Sequence, residues 1–498
     1  MGGEIAPAAL VFLVSLCTLC LELAIGRVLS SSTGGGLFTW TSTVGAALIF
    51  LSLGSVWGGR LAQREKTPWT TARLLFGASL GSSWPLLGLV ITGPKGPLSG
   101  LPIPLQSLVS APLLLGPAVL FLSALLPIAA TFSLEDSGGP GRIVGRLYAW
   151  GSMGCIAGSF LAGFLLIPVL GAQGTLLGCS CLLALLSGWT GKGPWTTRAL
   201  VWGLCCLLLG LSLVFSAHRT PGLLFRKESA YHSIEVREWE GQRLLALDGM
   251  VHSRVDRTLK NDLGYDYERL FVELTLRLDL PSNPSFLCLG GGGYILPRYL
   301  ADLFPNAQID VVEIDEEVTL SAHRFLDLPN PPPFQIHHQD ARRFVLALSS
   351  QRRYDVLYVD IFKGLTVPWH LCTQEFHLEL ARHLNPHGIY LLNLIDQDQG
   401  GPFLASMALT LKEVFPKVSV HWFPDATSHR NRATFILVST FQSFPSLTET
   451  NLSRGSLGSI IPWENLPHRG MVLKDSYAPV DRLLLPVIWN LSLEPFVE

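Results

Sequence analysis

Charge is what this chain has least of: only 15% of its 498 residues are Asp, Glu, Lys or Arg. The shortage is local. Residues 1–217 hold 15 of the 74 charged residues, and the remaining 281 residues hold the other 59. So steep a change of composition, with a mean hydropathy of +0.37 for the whole, excludes a single water-soluble globule. Basic charge is also scarce where nucleic acid would need it, because 26 basic residues face 33 acidic ones after position 217. That balance, near −7, argues against nucleic acid as the main partner. The cysteines form neither a disulfide framework nor a zinc spacing. Seven of the nine lie in the apolar part, and the pair Cys17 and Cys20 falls inside an apolar run where packing is its expected role. No regularly spaced G-x-G-x-x-G occurs, which leans away from a dinucleotide enzyme.

Long apolar windows are present in its place. Windows of bilayer-crossing length, about 20 residues each, run near 7–30, 37–59, 73–92, 107–132, 147–170, 173–190 and 199–216. The expectation is an all-α bundle of about seven membrane spans over 1–217, in contact with lipid. Small residues such as Gly154, Gly158 and Gly163 let helix backbones approach closely, so the spans should pack together. Glu22 and Arg27 lie in or at the end of the first span, where an interhelical pair and a snorkelling arginine account for them; a polar-substrate site is the competing reading. The basic loops 60–73, 133–146 and 191–198 point to the cytosol, which with seven spans would leave the remaining chain outside. Arg219, Arg226 and Lys227 beside the last span favour the inside, and a cytosolic soluble part is the expectation.

Residues 218–280 should form a small β subdomain, because YHSIEVREWEG and QRLLALDG alternate apolar and polar around a Glu240-Gly241 turn. From 281 to 498 the order changes. Apolar strands SFLCLG, IDVVEID, FQIHH, YDVLYVD and IYLLNLI alternate with helical stretches, the pattern of a doubly wound, Rossmann-like α/β domain. Gly290, Gly291, Gly292 and Gly293 follow the first of these strands and precede a helix, where backbone amides can meet a nucleotide. Glu313, about 20 residues on, ends the next strand and can accept two bonds from a ribose diol. Asp340 and Asp360 end the two that follow. Asp340 is placed to accept a bond from an adenine amino group, and helix capping is the plainer alternative for such residues.

Taken together, LELAIGRVLS, LSLGSVWGGRLA, SAYHSIEV, LDGMVHSRVD, LGGGGY, VVEID, QDARRF, VDIFKGLTVPWHLCTQEF and LKDSYAPVDRL resemble spermidine synthase-like aminopropyltransferases fused to a membrane bundle. The resemblance implies that Gly290, Gly291 and Gly292 line an adenosyl co-substrate, that Glu313 holds its ribose and that Asp340 reads its base. It implies Asp360 as the group that deprotonates an attacking amine, and Tyr231, Tyr265, His232 and His252 as substrate-binding residues. The co-substrate would be decarboxylated S-adenosylmethionine, or S-adenosylmethionine itself, with a small amine or polyamine as acceptor, no metal, and a homo-oligomer left open. Asp475 matches a C-terminal motif of the fused members that has no derived role.

The departures keep alternatives open. Gly293 and Tyr294 stand where the family has an acidic residue after three glycines, Lys363 where it has a second aspartate, and His232 and His252 where it has glutamines. Losing a carboxylate near the donor's tail removes attraction for an ammonium, so methyl transfer competes with aminopropyl transfer. A non-catalytic polyamine sensor or transporter is the third reading. Two N-x-S sequons, at Asn451 and Asn490, would be unused on a cytosolic domain.

Overall fold

The computed structural model describes residues 6–33, 36–64, 67–87, 96–98, 100–133, 139–190, 222–256, 263–362, 366–398, 400–424, 432–442, 459–461 and 470–490. They fall into two compact units, Met1–Pro221 and Gly222–Leu491. The first unit is helical: α1 (Pro7–Thr33), α2 (Leu37–Arg64), α3 (Pro68–Ser83), α4 (Ile103–Ser133), α5 (Pro140–Leu161) and α6 (Ile167–Thr190). Four stretches, Pro7–Ser30, Leu37–Arg64, Ile103–Ser133 and Gly141–Thr190, are long and apolar enough to cross a membrane. The expected spans 147–170 and 173–190 share the last of these, and Gly171, at φ 73° and ψ 170°, breaks the helical path between them. The expected span 199–216 lies outside the described residues, as do Lys363 and Asn451.

Glycine sets the helix crossings. A Cβ at Gly154 or Gly158 would come within 2.3 or 2.4 Å of Phe12 or Leu16 carbonyl oxygens, so α5 lies directly on the backbone of α1. Gly163 faces open space and plays no such part. A second pair does: a Cβ at Gly54 or Gly58 would meet Leu120 O at 2.3 Å or Ala124 O at 2.2 Å, which seats α2 on α4. Buried hydroxyls along these helices mostly turn back onto their own carbonyls, as Thr18 does to Val14 O at 2.8 Å and Ser30 to Gly26 O at 2.7 Å. Cys17 and Cys20 are buried and free. Leu48, Ile49, Leu53, Val56, Ile156, Phe160 and Phe164 are exposed, an apolar exterior of the kind a lipid solvent permits.

The second unit opens with a four-stranded antiparallel sheet, β1 (Leu223–Glu228), β2 (Ser233–Trp239), β3 (Gln242–Leu247) and β4 (Met250–Asp256). Glu240 and Gly241 both have positive φ, 50° and 80°, in the two-residue turn that joins β2 to β3. After α7 (Asp266–Leu276) comes the main sheet. Its strands and helices are β5 (Ser285–Leu289), α8 (Ile295–Leu303), β6 (Gln308–Val312), α9 (Glu316–Phe325), β7 (Gln335–His337), α10 (Ala341–Ala347), β8 (Tyr354–Val359), α11 (Gln374–Arg382), β9 (Leu384–Gln397), α12 (Pro402–Lys412), β10 (Lys417–Pro424), β11 (Arg432–Thr440) and β12 (Ser459–Ile461). The order is β12-β10-β11-β9-β8-β5-β6-β7. From β7 to β9 the neighbours run parallel, and β11, β10 and β12 close the other edge antiparallel. Chain order reverses between β5 and β8, and open sheets of this kind take ligands at the carboxyl end of such a switch point.

Candidate functional site

Gly290 leaves β5 at φ +100°, and a Cβ there would sit 2.1 Å from the Asp360 carbonyl oxygen. Glycine is therefore required: the two strand ends touch through backbone. Their amides are shared with neighbours, Gly290 N donating to Val312 O and Asp360 N to Leu289 O, each at 2.9 Å. The next two amides point at Glu313, whose Oε2 accepts from Gly291 N at 3.0 Å and Gly292 N at 3.2 Å. Its Oε1 accepts from Asp315 N at 3.0 Å. The glycine turn and the expected ribose carboxylate thus form one cradle. Tyr294 backs it from the core, its ring filling the space a Cβ at Gly291 would take. It is fully buried, its hydroxyl 2.6 Å from Thr319 Oγ1 and its ring stacked on Phe334, so the residue after the glycines is core.

Asp360 lies just past β8 with both oxygens occupied. Tyr267 Oη donates to Oδ2 at 2.7 Å, and Asn393 Nδ2 donates to Oδ1 at 2.9 Å. Burial pushes the Asp360 carboxyl above its ordinary range, against the pull of those two bonds. Asn393 Oδ1 is buried with no hydrogen-bond partner among the described residues. Glu268 stands close by in the first turn of α7, where its side chain accepts from Tyr265 N at 3.2 Å. Burial first, and the charge of Asp360 second, raise the Glu268 carboxyl to about 8. Tyr265 stacks on Tyr267 at 5.6 Å, so of the two tyrosines it is Tyr267 that reaches the carboxylate.

The histidines sit beside the cradle. Burial opposes charge on His232, but its 2.9 Å bond to Asp248 and the nearby Glu313 and Asp315 hold its pKa above the usual value. Asp248 also accepts from Ser233 N at 3.0 Å. His252 differs: burial, with His232 as a like-charged neighbour, lowers it to about 4, and its Nε2 is buried without a partner among the described residues. Ser253, next to it, accepts from Gly293 N at 2.8 Å, and a Cβ at position 293 would come within 2.7 Å of Ser253 Cβ. Tyr231 is 43% exposed in the turn between β1 and β2. Among the described residues no three His, Cys, Asp or Glu side chains gather as metal ligands.

Asp340 caps α10, its Oδ1 accepting from Arg343 N at 3.0 Å, while His370 Nε2 lies 2.9 Å from Oδ2. Burial works against its charge, but the His370 and Arg343 bonds keep it below the ordinary carboxylate range. The structure therefore brings Gly290, Gly291, Gly292, Glu313, His232 and Asp360 to one edge of the sheet and leaves Tyr231 half out in solvent. Sequence reasoning missed Tyr267, Glu268, Asn393, Asp248 and His370. Tyr267 was in principle visible, two residues from the chosen Tyr265; Asn393 was not, since an asparagine inside IYLLNLI carries no signal.

An open parallel sheet with a glycine cradle, an acid at one strand end and a half-buried acid at the next defines a Rossmann-like α/β domain with its candidate site at the switch point. No family model matches the chain. It is 25% identical over 305 residues to the polyamine aminopropyltransferase of Vibrio vulnificus (strain CMCP6), covering 57% of this chain and 97% of that protein. It is 28% identical over 155 residues to the human eEF1A lysine and N-terminal methyltransferase, 29% of this chain but 22% of that one. A solved structure of a probable spermidine synthase from Corynebacterium glutamicum aligns with TM-score 0.41 and 26% identity, covering 47% of this chain and 84% of its own. In these matches the chain is similar to an aminopropyltransferase and, over a shorter stretch, to a protein methyltransferase.

Proposed function

We propose that the chain is a membrane-bound transferase that moves an aminopropyl group from decarboxylated S-adenosylmethionine to an amine, with Asp360 as the base. What carries the reading is the placement of Asp360: a half-buried carboxylate at the switch point, in backbone contact with the glycine cradle, oriented by Tyr267 and Asn393. Glycine at 290 keeps a side chain from colliding with the Asp360 carbonyl, and the amides of the turn donate within the protein, to Val312 O, Glu313 and Ser253, so a nucleoside would be met there by the shape of the turn and by Glu313 rather than by free amides. Glu313 would hold the ribose, and Asp340 the base. The sulfonium donor supplies an activated carbon. An amine whose proton passes to Asp360 attacks that carbon, the carbon–sulfur bond breaks, and the thioether leaves neutral. Burial that raises the carboxyl of Asp360 makes it a better proton acceptor once ionised.

Methyl transfer from S-adenosylmethionine is the second reading. The similarity to a protein methyltransferase favours it, as does Gly293, where packing on Ser253 leaves no room for the acid that would attract the donor's ammonium. The apolar helices of the first unit support a multi-pass membrane protein in lipid, with the second unit in the cytosol where such donors are found. Calorimetry on the full chain in detergent, titrating both donors against wild type and Glu313→Ala, tests the assignment. Preference for the decarboxylated donor, lost in the variant, is expected; preference for the intact one transfers the case to methylation, and binding of neither overturns both.

A further inference from the structure

The C-terminal motif around Asp475 meets the edge of the sheet that carries Asp340. Its turn closes on itself, Lys474 N donating to Tyr477 O at 3.2 Å and Tyr477 N to Lys474 O at 2.8 Å. The Asp475 carboxylate takes both ends of the Arg342 guanidinium, Nη1 to Oδ1 at 2.7 Å and Nη2 to Oδ2, and accepts Thr373 Oγ1 at 2.7 Å. The backbone beside it is fastened too: Asp475 N donates to Glu375 Oε2 at 2.9 Å, and Gln374 N to Leu473 O at 2.8 Å. Arg342 lies in the first turn of α10, the helix capped by Asp340, and its Nη1 also donates to His370 O at 3.0 Å. His370 returns its ring to Asp340. Residues 340–342, 370–375 and 473–477 therefore close a ring of hydrogen bonds at one end of the fold.

Two features argue for geometry over bulk stability. The Asp475 side chain is 39% exposed, and exposed ion pairs contribute little to folding. A two-pronged arginine contact fixes direction as well as distance, and α10 has only seven residues with which to hold its own orientation.

We propose that the 474–477 turn is a latch on residues 370–375, and that Asp475 is a positioning residue which, through Arg342 and His370, sets Asp340 toward the purine. This rests on the reading of Asp340 as the base-recognising carboxylate. The test uses the full chain in detergent with 5′-methylthioadenosine and its 6-oxo analogue as probes, and hydrogen exchange as a second readout. Wild type should prefer the 6-amino probe by about tenfold, the worth of one hydrogen bond. Asp475→Asn, which keeps side-chain size, and Arg342→Lys, which keeps charge but loses the fork, should each abolish most of that preference. In both, the amides of 369–373 should exchange at least about tenfold faster without ligand. Unchanged exchange overturns the latch. Faster exchange with the preference intact overturns the positioning role, and a wild type with no preference overturns the reading of Asp340 itself while the exchange still decides the latch.

Discussion

The two units differ in the kind of polar group they bury, hydroxyls in the first and acids in the second, and in how far off its partner lies. In the helical unit a buried hydroxyl mostly answers to a carbonyl four residues earlier, as at Thr18, Ser30, Thr33 and Thr43. In the sheet unit the acids of the site answer to residues far away in sequence, Asp360 to Tyr267 and Asn393, Glu313 to the glycine amides, Asp248 to His232. In an apolar helix bundle, local satisfaction is the economical solution and close approach passes to glycine contacts. Chemistry needs several groups on one reacting atom, and strand ends converge them.

Four measurements would break or sharpen that contrast. Asp360→Asn should lower turnover about 10²–10⁴-fold while donor binding by calorimetry holds, the range of a lost general base. Unchanged turnover would remove Asp360 from the mechanism. Gly58→Leu should destabilise the helical unit by about 1–3 kcal/mol or more, through overpacking against α4, read from the thermal midpoint of the helical signal in detergent. No shift would mean that α2 and α4 are not seated on that glycine.

Glu268 gives a pH dependence. Its folded pKa of about 8 lies above its usual 4.5, so the folded state binds the extra proton between those values. Stability from this group is full below the unfolded value and is lost as pH rises toward 8. Glu268→Gln, which can still accept from Tyr265 N, should flatten the melting midpoint across pH 5–8 and raise it at the alkaline end. A variant with the wild-type slope would locate that titration elsewhere. The smallest effect is expected of Thr18→Val. Its hydroxyl serves only its own helix, and the change should stay within about 0.5 kcal/mol.

Much of the architecture was legible because periodicity is a local property. Apolar runs announced the helical unit, alternation around Glu240-Gly241 announced the hairpin, and the glycines after SFLCL announced the switch-point turn. The glycine seats were half legible: Gly154 and Gly158 make the expected close approach, Gly163 does not, and Gly54 with Gly58 was passed over although the same spacing was in view. Within the site, the acids at strand ends could be listed but not their company. Tyr265 stood out beside its neighbour, yet the register of α7 turns Tyr267 to Asp360, and Asp340 proved to be shared with a helix cap and His370.

By itself, then, the sequence determined the division into an apolar helical part and an α/β part, the strand ends that carry acids, and the glycine turn that follows the first strand of the main sheet. Those follow from side-chain size, charge and period, which act over a few residues. Only the tertiary structure decided that Asn393 and Tyr267 flank Asp360, that Asp248 holds His232, that Ser253 fills the space beside Gly293, and that Asp475 ties down Arg342. These pairings span from 16 to 133 residues, and no local rule ranks such partners until the sheet order has brought their strands together.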